Sequence, residues 1–292
     1  MRLILALFAL LFPSLAAAKP IEAKPALWKL ADKDTTIWLF GSVHVLPPDL
    51  VWFTGKVAKA FAASEALVVE TELGGDAAGK ANDAKAVMAH AIDHDGVPLR
   101  DELTPKERKA YESRMAGYDL PVAAFDQFQP WFAATSLTQI AYSKLGYAPD
   151  SGVEMKLFEE ARRTHKRVIP LESLEEQISL LGGFARPVQL KMLESTLDEL
   201  KHDNGHIGDL LKAWRTGNEA ALAKEMNDGL DDVPELRTVL LDRRNEHFAE
   251  WIAKRMAQPG QIFVAVGAGH FGGPHNVREL LDAKGFRITR MQ

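Results

Sequence analysis

The chain has 292 residues, a formal net charge of -5 and no cysteine. The acidic balance with scattered lysines excludes an electrostatic footprint for nucleic acid, and the lack of cysteine excludes disulfides, thiolate chemistry and a lipid-acylated cysteine anchor. The length suits one large domain or two small ones, with a core that needs no staple.

In chain order, residues 1–18 read as a secretory signal peptide. Arg2 is the positive start, Leu3 to Leu15 the apolar stretch, and Ala16-Ala17-Ala18 the small-residue cleavage site. The stretch is shorter than the roughly 20 apolar residues of a spanning helix. The expectation is an exported chain, periplasmic or secreted, with no stable membrane anchor after cleavage and a single domain over residues 19–292.

Residues 25–44 read as a hairpin, with Ala26 to Leu30 and Thr36 to Phe40 flanking an Asp32-Lys33-Asp34 turn. Pro47-Pro48-Asp49 is expected to open a helix reaching Ala63, since Leu50, Phe53, Val57, Ala60 and Phe61 have helical spacing. Ala66 to Glu70 is the next strand. Residues 76–145 read as helical, with a capping box at Thr104-Pro105-Lys106-Glu107 and a second start at Gln129-Pro130-Trp131, whose Trp131 belongs to the core. Gly152 to His165 is amphipathic and leads into a strand, Arg167 to Glu172. Residues 173–258 are helical again, with breaks near Asn204-Gly205 and Asp231 to Pro234. The chain closes as strand 261–266, a corner, helix 275–284 and strand 286–290. The expected fold class is α/β (α+β): a mixed central sheet from the N- and C-terminal segments, with a helical insertion over about 76–258.

Two strands end in the same motif. Thr36 to Phe40 runs into Gly41-Ser42-Val43-His44, and Gln261 to Val266 runs into Gly267-Ala268-Gly269-His270. Open α/β sheets bind ligands beyond the carboxyl ends of their strands, and a glycine there lets the chain turn sharply. The strands should therefore be neighbours, or one strand apart, with both histidines at one edge. Glu70 and Glu172 also fall at strand ends. Two imidazoles and two carboxylates can hold a divalent cation and spare a carboxylate as base, or do acid–base chemistry unaided. On its helix, Arg244 within Arg243-Arg244-Asn245 either belongs to a salt-bridged face or orients a site carboxylate through a bidentate contact. His275 is a possible further ligand. His90, His94, His165, His202, His206 and His247 read as surface residues, and the His202/His206 pair lacks the glutamate of a zinc-protease helix.

These residues resemble the TraB/GumN family, related to the Tiki metalloproteases and similar in fold to erythromycin-esterase-like and ChaN-like proteins. The resemblance rests on both Gly-x-x-His motifs, Val69-Glu70-Thr71-Glu72, Gly152-Val153-Glu154, Leu171-Glu172-Ser173 with Gln177, and Arg243-Arg244-Asn245. It implies a divalent-metal hydrolase, a metalloprotease or peptidase, with His44, Glu70 and His270 as metal residues and Glu172 and Arg244 beside them. The ion would be Mn2+ or Co2+, with Zn2+ also open, and the substrate a peptide or small ester. Position 154 is usually Asp in that family, so Glu154 is a departure. The alternatives are a metal-independent, esterase-like hydrolase with His44 as base, and a non-catalytic periplasmic binding or assembly factor linked to polysaccharide export.

Overall fold

A computed structural model describes residues 21–74, 76–202, 205–231 and 233–292. The leader assigned to residues 1–18 lies outside the described residues. The strands are β1 (Ile21–Glu22), β2 (Leu27–Ala31), β3 (Thr35–Ser42), β4 (Leu50–Val51), β5 (Ala66–Val69), β6 (Arg167–Pro170), β7 (Gly260–Gly267) and β8 (Ile288–Arg290). Six of them form one mixed sheet in the order β6-β5-β7-β3-β2-β8. The run β6, β5, β7, β3 is parallel, and β2 is antiparallel to both β3 and β8. The hairpin turn is tied by Asp32, whose carboxylate accepts from the amides of Asp34 and Thr35 at 3.1 and 2.8 Å.

Side chains alternate across a strand, so a sheet covered on both faces needs apolar residues at every position. β5, Ala-Leu-Val-Val, is buried throughout for this reason. Phe263 and Ala265 of β7 join Phe40, Leu67 and Val69 in one core, under helices Gly55–Ala63 and Val153–Arg163. Ile262, Val264 and Val266 join Ile37, Leu39 and Val68 on the other face, under helices Arg243–Arg255 and Val277–Ala283.

The helix expected from Pro47 begins later. Leu50 and Val51 form β4, paired in parallel with β1, and the helix starts at Gly55 with Thr54 as N-cap. Tertiary packing overrides the helical spacing here. Trp52 is buried against Phe40 and Trp214, at ring separations of 5.5 and 6.1 Å, and Val51 spends its carbonyl on the Ala23 amide at 2.9 Å.

The middle of the chain builds its own core around Tyr111, Met115, Leu137, Leu193 and Leu197. The Thr104 capping box forms, and so does a second one at Ser173 and Glu176. The insertion is not purely helical, since β6 leaves it to become an edge strand of the main sheet. Among the described residues, no helix is long and apolar enough to cross a membrane.

Candidate active site

Gly41 pairs with Val266 and Ser42 with Gly267 in the β3–β7 register. The two Gly-x-x-His corners therefore leave the sheet side by side, as the sequence pattern requires. Val69 lies level with both Ala265 and Pro170, which brings Glu70 and Glu172 to the same edge. The amides of Leu171 and Glu172 both donate to the Glu70 carbonyl, at 3.1 and 2.8 Å, and lock the two strand ends together. Glycine suits the corners because they touch. A Cβ on Gly41 would stand 3.1 Å from Ala268, and one on Gly267 3.0 Å from the Glu70 carboxylate. That closeness lets the Gly267 amide donate to Oε1 of Glu70.

Arg244 sits at the centre of this edge. Its Nε and a terminal nitrogen grip Glu172 in a fork, at 2.9 and 2.8 Å, and the same terminal nitrogen reaches Glu70 at 2.5 Å. The other terminal nitrogen donates to the Leu240 carbonyl at 3.1 Å and faces Nε2 of His270 at 3.2 Å. Gln177 donates to both carboxylates, at 3.1 and 3.3 Å. Burial pushes the Glu70 carboxyl up. The charges of His270, Arg244 and His44, with the Gly267 N–H, outweigh it and bring the carboxyl down to about 2.

His270 is buried, and Asn245 sets its tautomer. The Asn245 amide nitrogen donates to the backbone carbonyl of His275 at 2.9 Å. A carbonyl only accepts, so the Asn245 oxygen must face Nδ1 of His270, 2.7 Å away, and Nδ1 must carry the proton. Nε2 is then the lone-pair nitrogen, turned toward Arg244 and 3.5 Å from Oε1 of Glu70. Burial, with the Arg244 charge beside it, pushes His270 down to about 4 against the pull of Glu70. At neutral pH His270 is uncharged, and Arg244, with the His44 charge and the Gly267 N–H, keeps Glu70 ionised.

His44 is the open half of the site. Its side chain is 78% exposed, and its Nδ1 lies 3.1 Å from Oε1 of Glu154. The Glu154 carboxylate raises His44 to about 9, while solvent screens part of that attraction at an exposed side chain. For Glu154 itself, burial pushes up and the His44 charge pulls down, and the net shift is downward. Gly152 makes the pairing possible. A Cβ there would stand 2.2 Å from the His44 carbonyl oxygen, so only glycine lets helix Val153–Arg163 begin against this corner, with the Val153 amide donating to the Val43 carbonyl at 3.0 Å. His44, Glu70, Glu154 and Gln177 line a cleft of about 350 Å³.

The expected metal residues are not assembled as a ligand set. Arg244 donates to Glu70 and Glu172 and takes up the lone pair of His270, so a guanidinium stands where those donors would meet an ion. Among the described residues, no three His, Asp or Glu side chains form a group able to hold a metal. The arrangement fits a fixed internal cation and does not fit an ion held jointly by His44, Glu70 and His270.

The structure thus brings Glu70, Glu172, Arg244 and His270 into one cluster and sets His44 beside it with Glu154. Three residues that the motifs contain without a role of their own gain one here: Glu154, Asn245 and Gln177. Each lies in or beside a motif, but pairing across the fold, not spacing along it, gives them their parts. His275 contributes its backbone carbonyl, while its side chain pairs with Glu246 at 3.0 Å on the surface. His90 likewise pairs with Glu175, at 2.7 Å.

Fold and site together define an α/β protein whose candidate active site is assembled by two Gly-x-x-His corners on adjacent parallel strands. The model of the TraB/PrgY/gumN family matches residues 26–290, and the chain belongs to that family. It is 25% identical to a protein of Treponema pallidum (strain Nichols) described as uncharacterized, over 87% of this chain and 79% of the relative. It is also 25% identical to YbaP of Escherichia coli (strain K12), likewise described as uncharacterized, over 83% of this chain and 86% of the relative. A 28% identity to metalloprotease TIKI2 of Danio rerio covers 47% of this chain and 32% of that protein. No solved structure matches the chain.

Proposed function

We propose that the chain is an exported hydrolase of amide or ester bonds that activates water at His44. The observation that carries this reading is His44 itself, exposed in the cleft wall, with Nδ1 held by Glu154 and Nε2 left for chemistry beside Glu70. In its neutral form, which gains population as pH rises toward about 9, the imidazole takes a proton from water through Nε2 while the oxygen adds to the substrate carbonyl carbon. The Glu154 carboxylate holds Nδ1–H and stabilises the imidazolium that forms, as a carboxylate behind a histidine does. The imidazolium then returns the proton to the departing nitrogen or oxygen as its bond to carbon breaks. Arg244 keeps Glu70 ionised and holds both Glu70 and Glu172 in place, and preorganised charge of this kind costs nothing to reorient during reaction.

A metal-dependent peptidase using Mn2+, Co2+ or Zn2+ is the second reading, favoured by the similarity to a protein named as a metalloprotease. It requires Arg244 to withdraw from His270. The test is a panel of peptides and small esters assayed with chelator, with chelator followed by excess Mn2+, Co2+ or Zn2+, and with His44→Ala. Turnover that survives chelator and is lost in His44→Ala supports the first reading. Turnover that appears only with added metal supports the second. Tight ligand binding without turnover under any condition overturns both and points to a binding factor.

A further inference from the structure

A second cleft, of about 370 Å³, opens beside the first, and His44 and Gln139 stand in the walls of both. One wall is a face of helix Pro130–Lys144, where Thr135, Thr138, Gln139 and Tyr142 follow the i, i+3, i+4, i+7 spacing of one side. The threonines bring no free donor to it. The Thr135 hydroxyl donates to the carbonyls of Trp131 and Phe132 at 3.0 and 3.2 Å, and the Thr138 hydroxyl to that of Ala134 at 3.0 Å. The facing wall is apolar, with Leu211, Met192 and Met226, and methionine adapts to irregular occupants. Among the described residues, no Asp, Glu, Lys or Arg lines this cleft. A charged group seated in it away from His44 would lose its water with no charged partner in return, whereas an apolar group would gain from every methylene buried.

We propose that this cleft is a substrate subsite for an uncharged apolar group carried next to the carbonyl that His44 attacks, with Gln139 at the junction hydrogen-bonding the adjoining amide or carbonyl. This names the substrate class of the hydrolase reading and rests on it for the position of the reacting carbonyl. A peptide side chain and a fatty acyl chain share this chemistry.

The test is calorimetric binding of methyl ketones, which present the carbonyl without a leaving group, so that binding is read apart from turnover. One series is N-acetyl-aminoacyl methyl ketones carrying Ala, norvaline, norleucine, Phe, Lys and Glu side chains. The other is unbranched alkyl methyl ketones of increasing length. We expect affinity to rise roughly fourfold per methylene until the cleft is full, and the Lys and Glu members to bind at least roughly tenfold more weakly than norleucine. The series with the steeper rise identifies the natural source. Thr138→Trp, and independently Leu211→Trp, should abolish the rise while leaving the shortest members of each series unaffected. Affinity flat with chain length in both series of wild-type protein, or a rise that persists in both folded Trp variants, would overturn the proposal. A steep rise without hydrolysis of any matching ester or amide would instead sink the hydrolase reading and leave an apolar-ligand site.

Discussion

Replacing Arg244 by Met tests the electrostatic arrangement of the cluster. The side chains of Arg244, Glu70 and Glu172 are 13%, 14% and 11% exposed, so water cannot substitute for the lost cation. Removing one partner of a buried ion pair typically costs about 3–5 kcal/mol, a large share of the roughly 5–15 kcal/mol that holds a domain folded. The loss should depend on pH. In the wild type Glu70 lies near 2, below its ordinary 4.5. Its stabilising contribution is therefore complete above 4.5 and fades only as pH falls toward 2. In Arg244→Met the guanidinium no longer opposes burial, so the Glu70 carboxyl moves up from about 2 toward its ordinary 4.5 and part of that contribution is lost. The loss is constant above pH 4.5 and shrinks as pH falls toward 2, where Glu70 protonates in both proteins. Urea unfolding of both proteins at pH 7.5 and pH 3 measures this. A destabilisation of several kcal/mol at pH 7.5 that shrinks at pH 3 is expected. A loss below about 1 kcal/mol, the value of an exposed pair, or one equal at both pH values would mean that Arg244 does not hold Glu70 ionised.

Three further outcomes follow from the geometry. Glu154→Gln should shift the rise of kcat/KM with pH downward, from below about 9 toward the ordinary 6.5 of histidine. The pair's small contribution to stability, present below 6.5 and lost as pH rises through the folded value, should vanish with it; an unmoved pH profile would count against the pairing. Gly152→Ala places a Cβ 2.2 Å from the His44 carbonyl oxygen and 2.7 Å from its carbon. It should cost about 1–3 kcal/mol in thermal or urea unfolding, as overpacking does, and lower turnover, whereas wild-type stability would mean the helix start is not held against the corner. Asn245→Leu should release the His270 tautomer, so that 15N spectra of the ring show mixed tautomers in place of Nδ1–H alone; a single unchanged tautomer would assign its control elsewhere.

The main features of the fold were legible because the local signals were strong. β3, β5 and β7 are short apolar runs bounded by glycine or a turn, and their pairing followed from two motifs that make a site only together. Glu70, Glu172 and His270 were legible for the same reason. Arg244 was ambiguous on its helix, and its fork onto Glu172 became visible only in three dimensions. Glu154 reads as an ordinary first-turn acid of an amphipathic helix, and its role depends on Gly152 letting that helix approach His44. Residues 50–53 misled because Leu50, Phe53 and Val57 suit a helix, whereas Trp52 gains more from an extended segment that packs it on Phe40.

Chemical rescue of His44→Gly tests whether the imidazole of His44 is the group that activates water. His44 is 78% exposed, so free imidazole can reach the space its side chain leaves. The substitution should lower kcat/KM by roughly 10²–10⁴-fold, and added imidazole, with chelator present, should restore turnover in a saturable way that follows the neutral form of the base. Turnover unaffected by the substitution, or a loss that imidazole cannot repair but a divalent metal can, would contradict that role of His44.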